Sequence, residues 1–144
     1  MLFPYKDDNP RVLVPYVTYA IISINVLIFV LQLNMAMVNS SIEREFIYKF
    51  GFIPANFSFF TMFTSMFLHG GFSHIFGNMW FLWVFGDNVE GILGHIKFGI
   101  FYLLCGLVAT MSQLFVNPES TIPMVGASGA IAGVLGMYMI RFPH

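Results

Sequence analysis

Residues 124–144 read MVGASGAIAGVLGMYMIRFPH. Ser128 sits among small residues at the mouth of a run that carries no formal charge until Arg141. Such a run reads as a membrane helix of about 17 residues, short against the roughly 20 that a bilayer asks of a spanning helix. Gly126, Gly129, Gly133 and Gly136 are spaced three, four and three. At about 100° per residue they fall with Ala132 on one smooth face, and Ser128 lies on its edge. Ile131, Val134 and Leu135 project from the other side. A glycine face is first of all a packing device, and a serine in it is ordinarily a small residue bonded back to its own helix. The position of Ser128 near the start of a short span, where water can reach, argues for more than packing.

The rest of the chain places this run in context. Of 144 residues, 58% are hydrophobic, 9% charged and 18 are Phe. Soluble domains carry about 25% charged residues, so thirteen charges cannot cover a water-facing surface of this size. The fold class is therefore all-α, a polytopic membrane helix bundle. The formal net charge is −1 with no basic block, which excludes nucleic acid as a partner. Cys105 is the only cysteine, has no CxxC context and reads as a small core residue. No cluster suggests a metal or cofactor, and the expectation is none. The start, MLFPYKDDNPRV, is unlike a secretory leader, so the first apolar run is retained as an anchor.

Four spans are expected. Val12 to Leu33 carries only Asn25 and Gln32 as strongly polar members, and residues 34–58 read as a long polar-to-mixed loop. Phe59 to Leu68 is apolar but too short to cross alone, and it is broken by His69-Gly70-Gly71. Phe72 to Gly86 is the second span, Phe98 to Val116 the third, and Met124 to Ile140 the fourth. Lys6, Arg11, Lys97 and Arg141 fall on one side of this topology, against Arg44 and Lys49 on the other, so the N-terminal flank, residues 1–11, is read as cytoplasmic. Spans two and four then both enter from the outer face. That brings His74, Asn78 and Ser128 to one level of the bilayer.

His74 and Asn78 are four apart and share a helical face, with Ser73 before them as a candidate N-cap. Polar side chains inside a span are costly, and they either bind neighbouring helices or act on a ligand. Together the pair has the donors to stabilise an oxyanion. GASG lacks the second glycine of the hydrolase nucleophile elbow, because Ala130 stands in its place, so a soluble α/β-hydrolase is excluded.

Taken together, LHGGFSHIFGNMWFLWVFGDNVEGILGHIKFGIFYLLCGLVA (68–109) and GASGAIAG (126–133) resemble the rhomboid family of intramembrane serine proteases. The resemblance rests on the His74/Asn78 pair, the stretch from Phe85 to Gly94 and the G-x-S-G motif at Ser128, in the family's order. It implies Ser128 as catalytic nucleophile and His74 and Asn78 as oxyanion-stabilising residues, with the Ser128 N–H. It also implies Gly126 and Gly129 in the active-site loop, and a transmembrane protein substrate met in the lipid bilayer. Asp87, Asn88 and Glu90 match motif positions but read as capping and closure at the cytoplasmic end of span two. His69 and His95 are expected to be structural.

One departure stands out. The family has a six-helix core with the general-base histidine on the sixth helix, whereas this chain has four spans and ends at His144. Residues 12–144 are thus expected to be a rhomboid-like domain truncated at its C-terminus and inactive without the base, since a neutral hydroxyl is a weak nucleophile. His144, at the far end of the fourth helix, lies about 20 Å from Ser128 and cannot serve. The glycine face is expected to lack its closest partner. The alternative function is a non-catalytic rhomboid-like protein that binds transmembrane helices. Substrate identity and oligomeric state stay open.

Overall fold

A computed structural model describes residues 13–143. The N-terminal flank read as cytoplasmic, with Lys6 and Arg11, and the terminal His144 lie outside the described residues. The described chain is helical: α1 Tyr16–Val38, α2 Ser40–Phe50, α3 Phe59–Thr64, α4 Phe72–Leu93, α5 His95–Val116 and α6 Ser128–Arg141, with single 3-10 turns at Pro54–Asn56 and Ser65–Phe67. The four long runs of the sequence are α1, α4, α5 and α6. Helices α2 and α3 belong to the first connection.

The bundle core is built where these four meet. Leu82 and Val89 of α4, Phe98 and Tyr102 of α5, and Ala130 and Val134 of α6 are all buried in one cluster. Outside it, Leu27, Phe72, Ile96, Val108 and Ile140 each expose more than 60% of their surface. Soluble monomers rarely leave so many large apolar side chains bare, and this outer surface suits hydrocarbon. By length and composition, α1 and α5 are apolar enough to cross a membrane. Helix α6, at 14 residues, is about 21 Å long and falls short of the roughly 30 Å hydrocarbon core.

Three local expectations change. The segment read as a loop after Leu33 is mostly helix. Helix α1 runs five residues further, and α2 follows at once, capped by Asn39, whose side chain accepts from the Ser41 N–H at 2.9 Å. The reason is amphipathicity: Ile42, Phe46 and Phe50 repeat every four residues, while Glu43, Arg44, Glu45 and Lys49 hold the other faces. Ser73 is not the N-cap of α4; Gly71 is, and Ser73 lies inside the first turn. Finally, α6 begins at Ser128 rather than at Met124, and part of its glycine face packs on α5. A Cβ on Gly129 would overlap that of Ala109, and one on Gly133 would overlap the Cys105 sulfur, so both glycines seat α6 on α5. Gly136, on the same helix, faces open space.

A polar clasp closes the far end of α4. Pro15 gives α1 no side-chain cap and no acid stands in its first turn. The exposed-donor problem of that helix start is solved by Glu90, 0% exposed, from another helix. Its Oε1 accepts from the Val17 N–H at 2.9 Å and contacts Nδ1 of His95; its Oε2 accepts from the Thr18 N–H at 2.8 Å and the Thr18 hydroxyl at 2.7 Å.

Candidate active site

Ser128 is the first residue of α6 and its side chain is exposed. The segment before it is pinned from both sides. Phe52 and Met124 pair as an antiparallel bridge, with N–H to carbonyl distances of 3.0 and 2.7 Å, and the Gly126 N–H donates to the Ser65 carbonyl at 2.9 Å. The chain then turns at Gly126 with φ +121°, a region closed to ordinary L residues. A Cβ there would also stand 2.7 Å from the His74 ring. Gly126 is thus required twice, once by its backbone and once by the imidazole that lies against it.

From α4, His74 and Asn78 reach the same place. With Ser128 they line an open cleft of about 390 Å3, completed by Ser73, Gly77, Phe81, Ile131, Ala132 and Leu135. The structure therefore brings Ser128, His74, Asn78 and Gly126 together. Gly129 is instead helical and turned to α5, though it borders a second small cavity beneath Ser128 with Gly106, Ala109 and Gln113. The Ser128 hydroxyl makes no hydrogen bond among the described residues, and it is not folded back on its own helix. It stands at the positive end of a helix, where negative charge is favoured. Among the described residues no group of three or more His, Cys, Asp or Glu side chains could hold a metal ion.

His69, expected to be structural, sits closer to this chemistry than its sequence position suggests. It is 1% exposed, and its Nε2 lies 3.0 Å from Nδ2 of Asn78. Its ring meets that of His74 edge-on at 5.2 Å between centroids. Gln32 of α1, also fully buried, holds its main chain at both ends: the His69 N–H donates to Gln32 Oε1 at 3.1 Å, and Gln32 Nε2 donates to the His69 carbonyl at 2.9 Å. Burial, helped by the nearby His74, pushes the His69 imidazole down to about 4, against a smaller opposing effect of the Phe67 carbonyl. It is neutral at physiological pH. A sequence signal existed in Gln32, a polar residue isolated in an apolar span, but its partner lies 37 residues away.

Comparison with known proteins bears on the same residues. The Rhomboid domain family matches residues 56–144. The chain is 32% identical over 123 residues to Rhomboid protease GluP of Bacillus subtilis, covering 85% of this chain and 24% of that protein. It is 31% identical over 146 residues to Rhomboid protein 1, mitochondrial, of Saccharomyces cerevisiae, covering 99% and 40%. Against the human Presenilin-associated rhomboid-like protein, mitochondrial, identity is 33% over 128 residues, covering 86% and 32%. The chain thus spans well under half the length of these relatives. No solved structure matches it.

Proposed function

The chain belongs to the rhomboid family, whose members are integral membrane proteins, and from that premise we propose that its cleft is the nucleophile and oxyanion half of an intramembrane serine endopeptidase. The observation that carries the reading is the shared cleft: Ser128, His74 and Asn78 face one cavity, with the serine hydroxyl exposed and uncommitted.

In this reading Ser128 Oγ attacks the carbonyl carbon of a peptide bond in a transmembrane protein substrate. The carbonyl oxygen becomes an oxyanion and is met by Asn78 Nδ2, by His74 and by the Ser128 N–H. Donors fixed in advance at the place where charge develops lower the barrier without reorganising during the reaction. The N-terminus of α6 adds its positive end to the same point. The N-terminus of the chain is cytoplasmic, and the cleft opens toward the outer half of the bilayer.

The serine proton still needs an acceptor. No described side chain bonds to Ser128 Oγ, and His74 is taken up by the oxyanion. In this reading the base is a histidine outside the described residues, and without it turnover is slow. A second reading draws on that same unpartnered hydroxyl: the cleft binds transmembrane helices without cutting them.

A fluorescent fluorophosphonate, added to the protein in phospholipid bilayers with and without imidazole, separates the two. Expected is a label on Ser128 whose rate rises with imidazole, which replaces the missing base, and no label in Ser128→Ala. An unlabelled Ser128 at saturating imidazole, or equal labelling of Ser128→Ala, overturns the protease reading and leaves helix binding.

A further inference from the structure

We propose that His69 is a positioning residue for the oxyanion site: its Nε2 takes one proton of the Asn78 side-chain amide and thereby aims the other into the cleft. The inference rests on the oxyanion role proposed for Asn78.

The geometry is that of a planar amide. An Asn NH2 carries two donors in one plane, about 120° apart, so fixing the direction of one fixes the other. The first is fixed by the 3.0 Å contact between Asn78 Nδ2 and His69 Nε2. The second is left free beside the cleft, where Nδ2 stands 3.7 Å from the point a Cβ on Gly126 would occupy. The same contact decides which way round the amide sits. With the imidazole proton on Nδ1, Nε2 offers a lone pair, which attracts Nδ2–H and repels Oδ1. A flipped Asn78 would bring a carbonyl oxygen toward the developing oxyanion and oppose it.

His69 is itself held for this purpose. It begins a His-Gly-Gly break, and Gly71 within that break has open space around it. The two hydrogen bonds from Gln32 fix the His69 main chain, and the edge-on contact with His74 fixes the ring. Burial leaves the imidazole no water to compete for Nε2. A pair whose task was only to bind helices together would leave no donor free; Asn78 remains part of the cleft wall with one N–H to spare.

Three variants test this through the imidazole-assisted labelling rate of Ser128, with thermal stability measured alongside. His69→Phe keeps the ring shape and removes the acceptor. It is expected to slow labelling about tenfold, less than outright loss of an oxyanion donor can cost. His69→Gln puts an amide oxygen near the place of Nε2 and is expected to restore most of the rate. His69→Asn places its polar group on the Nδ1 side and should behave as His69→Phe, which keeps the test open if the Phe variant does not fold. In an Asn78→Ala background, His69→Phe is expected to change nothing further, because the group it positions is gone. A wild-type rate in His69→Phe, or a second full loss on top of Asn78→Ala, overturns the proposal.

The side-chain amide signals of Asn78 in protein labelled with 15N-asparagine give a readout that does not need chemistry. Two widely separated proton shifts that converge in His69→Phe are expected; two solvent-like shifts in the wild type overturn the contact itself. An Asn78 amide bonded to His69 in a protein whose Ser128 never reacts would leave the pair as architecture and overturn both readings. Slow labelling in Asn78→Ala with normal labelling in His69→Phe would overturn only the positioning role.

Discussion

The two ends of α4 hold two buried polar clusters built on different principles. Twelve residues, or about 18 Å, separate Asn78 from Glu90 along the helix. At the Glu90 end every oxygen is used: two backbone N–H groups, a hydroxyl and an imidazole converge on one carboxylate that solvent does not reach. At the Asn78 end capacity is left over. His69 Nδ1 is buried without a hydrogen-bond partner among the described residues, Asn78 keeps one N–H, and Ser128 keeps its whole hydroxyl. Saturated polar clusters hold a fold together, whereas clusters with spare donors around an open space have something left to do. The closed end ties α4 to the start of α1, and the open end meets α6 around a cleft.

If that contrast is right, damage at the closed end should cost stability and spare chemistry. Glu90→Ala strands the Val17 and Thr18 donors in a buried place and is expected to destabilise the protein by about 3–5 kcal/mol. Unfolding in bilayers or detergent, compared with the labelling rate per folded molecule, measures both halves. A loss below about 1 kcal/mol would show that water or a rearranged His95 replaces the clasp, and the contrast would fail.

Gly126→Ala should do the reverse. It forces a side chain into a φ of +121° and into the His74 ring, displacing that imidazole from the cleft. Because a displacement of about 1 Å can cost about a hundredfold in rate, labelling is expected to fall by that order, with only about 1–2 kcal/mol of stability lost. An unchanged rate would mean that His74 takes no part.

Asn78→Ala comes next, with labelling expected to slow by about tenfold or more and stability nearly unchanged. A merely structural Asn78 would give the opposite pattern, a stability loss with a normal rate.

Most of the open end was legible in the sequence because its residues carry short-range patterns. The His74/Asn78 spacing puts both on one face, and the small-residue motif puts Ser128 near the start of its span. That span reads from Met124, whereas the helix begins at Ser128. What escaped was long-range or depended on a partner. Ser40–Phe50 looked like a loop because its composition is polar, although Ile42, Phe46 and Phe50 already repeat at helical spacing. The glycine period of α6 was visible, but nothing local says that Gly129 and Gly133 meet Ala109 and Cys105 rather than another helix. Glu90 read as closure, and that it caps α1 depends on contacts 72 and 73 residues away. His69 carries no spacing of its own, and its position follows from Gln32, whose isolation in an apolar helix was the one available hint.

The smallest expected effect is on pH dependence, and it separates the two ends through His69. Burial lowers this imidazole from 6.5 to about 4, so between those values the unfolded chain binds a proton that the folded protein refuses. The contribution of neutral His69 to stability is therefore complete above about pH 6.5 and is lost progressively as pH falls toward 4. The rate should follow a different course on account of this residue. Neutral His69 keeps its lone pair on Nε2 until about pH 4, so the Asn78 amide stays in place while stability is already falling. Near pH 4 a proton on Nε2 would face Asn78 Nδ2 donor to donor and favour the flipped amide. His74 faces the same ring, so the comparison is with His69→Gln, which keeps His74 and removes only the one ionisation. Wild type should lose stability relative to His69→Gln between pH 7 and 4.5, with their labelling rates in constant ratio over that range. A rate ratio that falls already at pH 6 would mean that His69 is protonated there and accepts nothing from Asn78, and the open end would then need another residue to hold its amide.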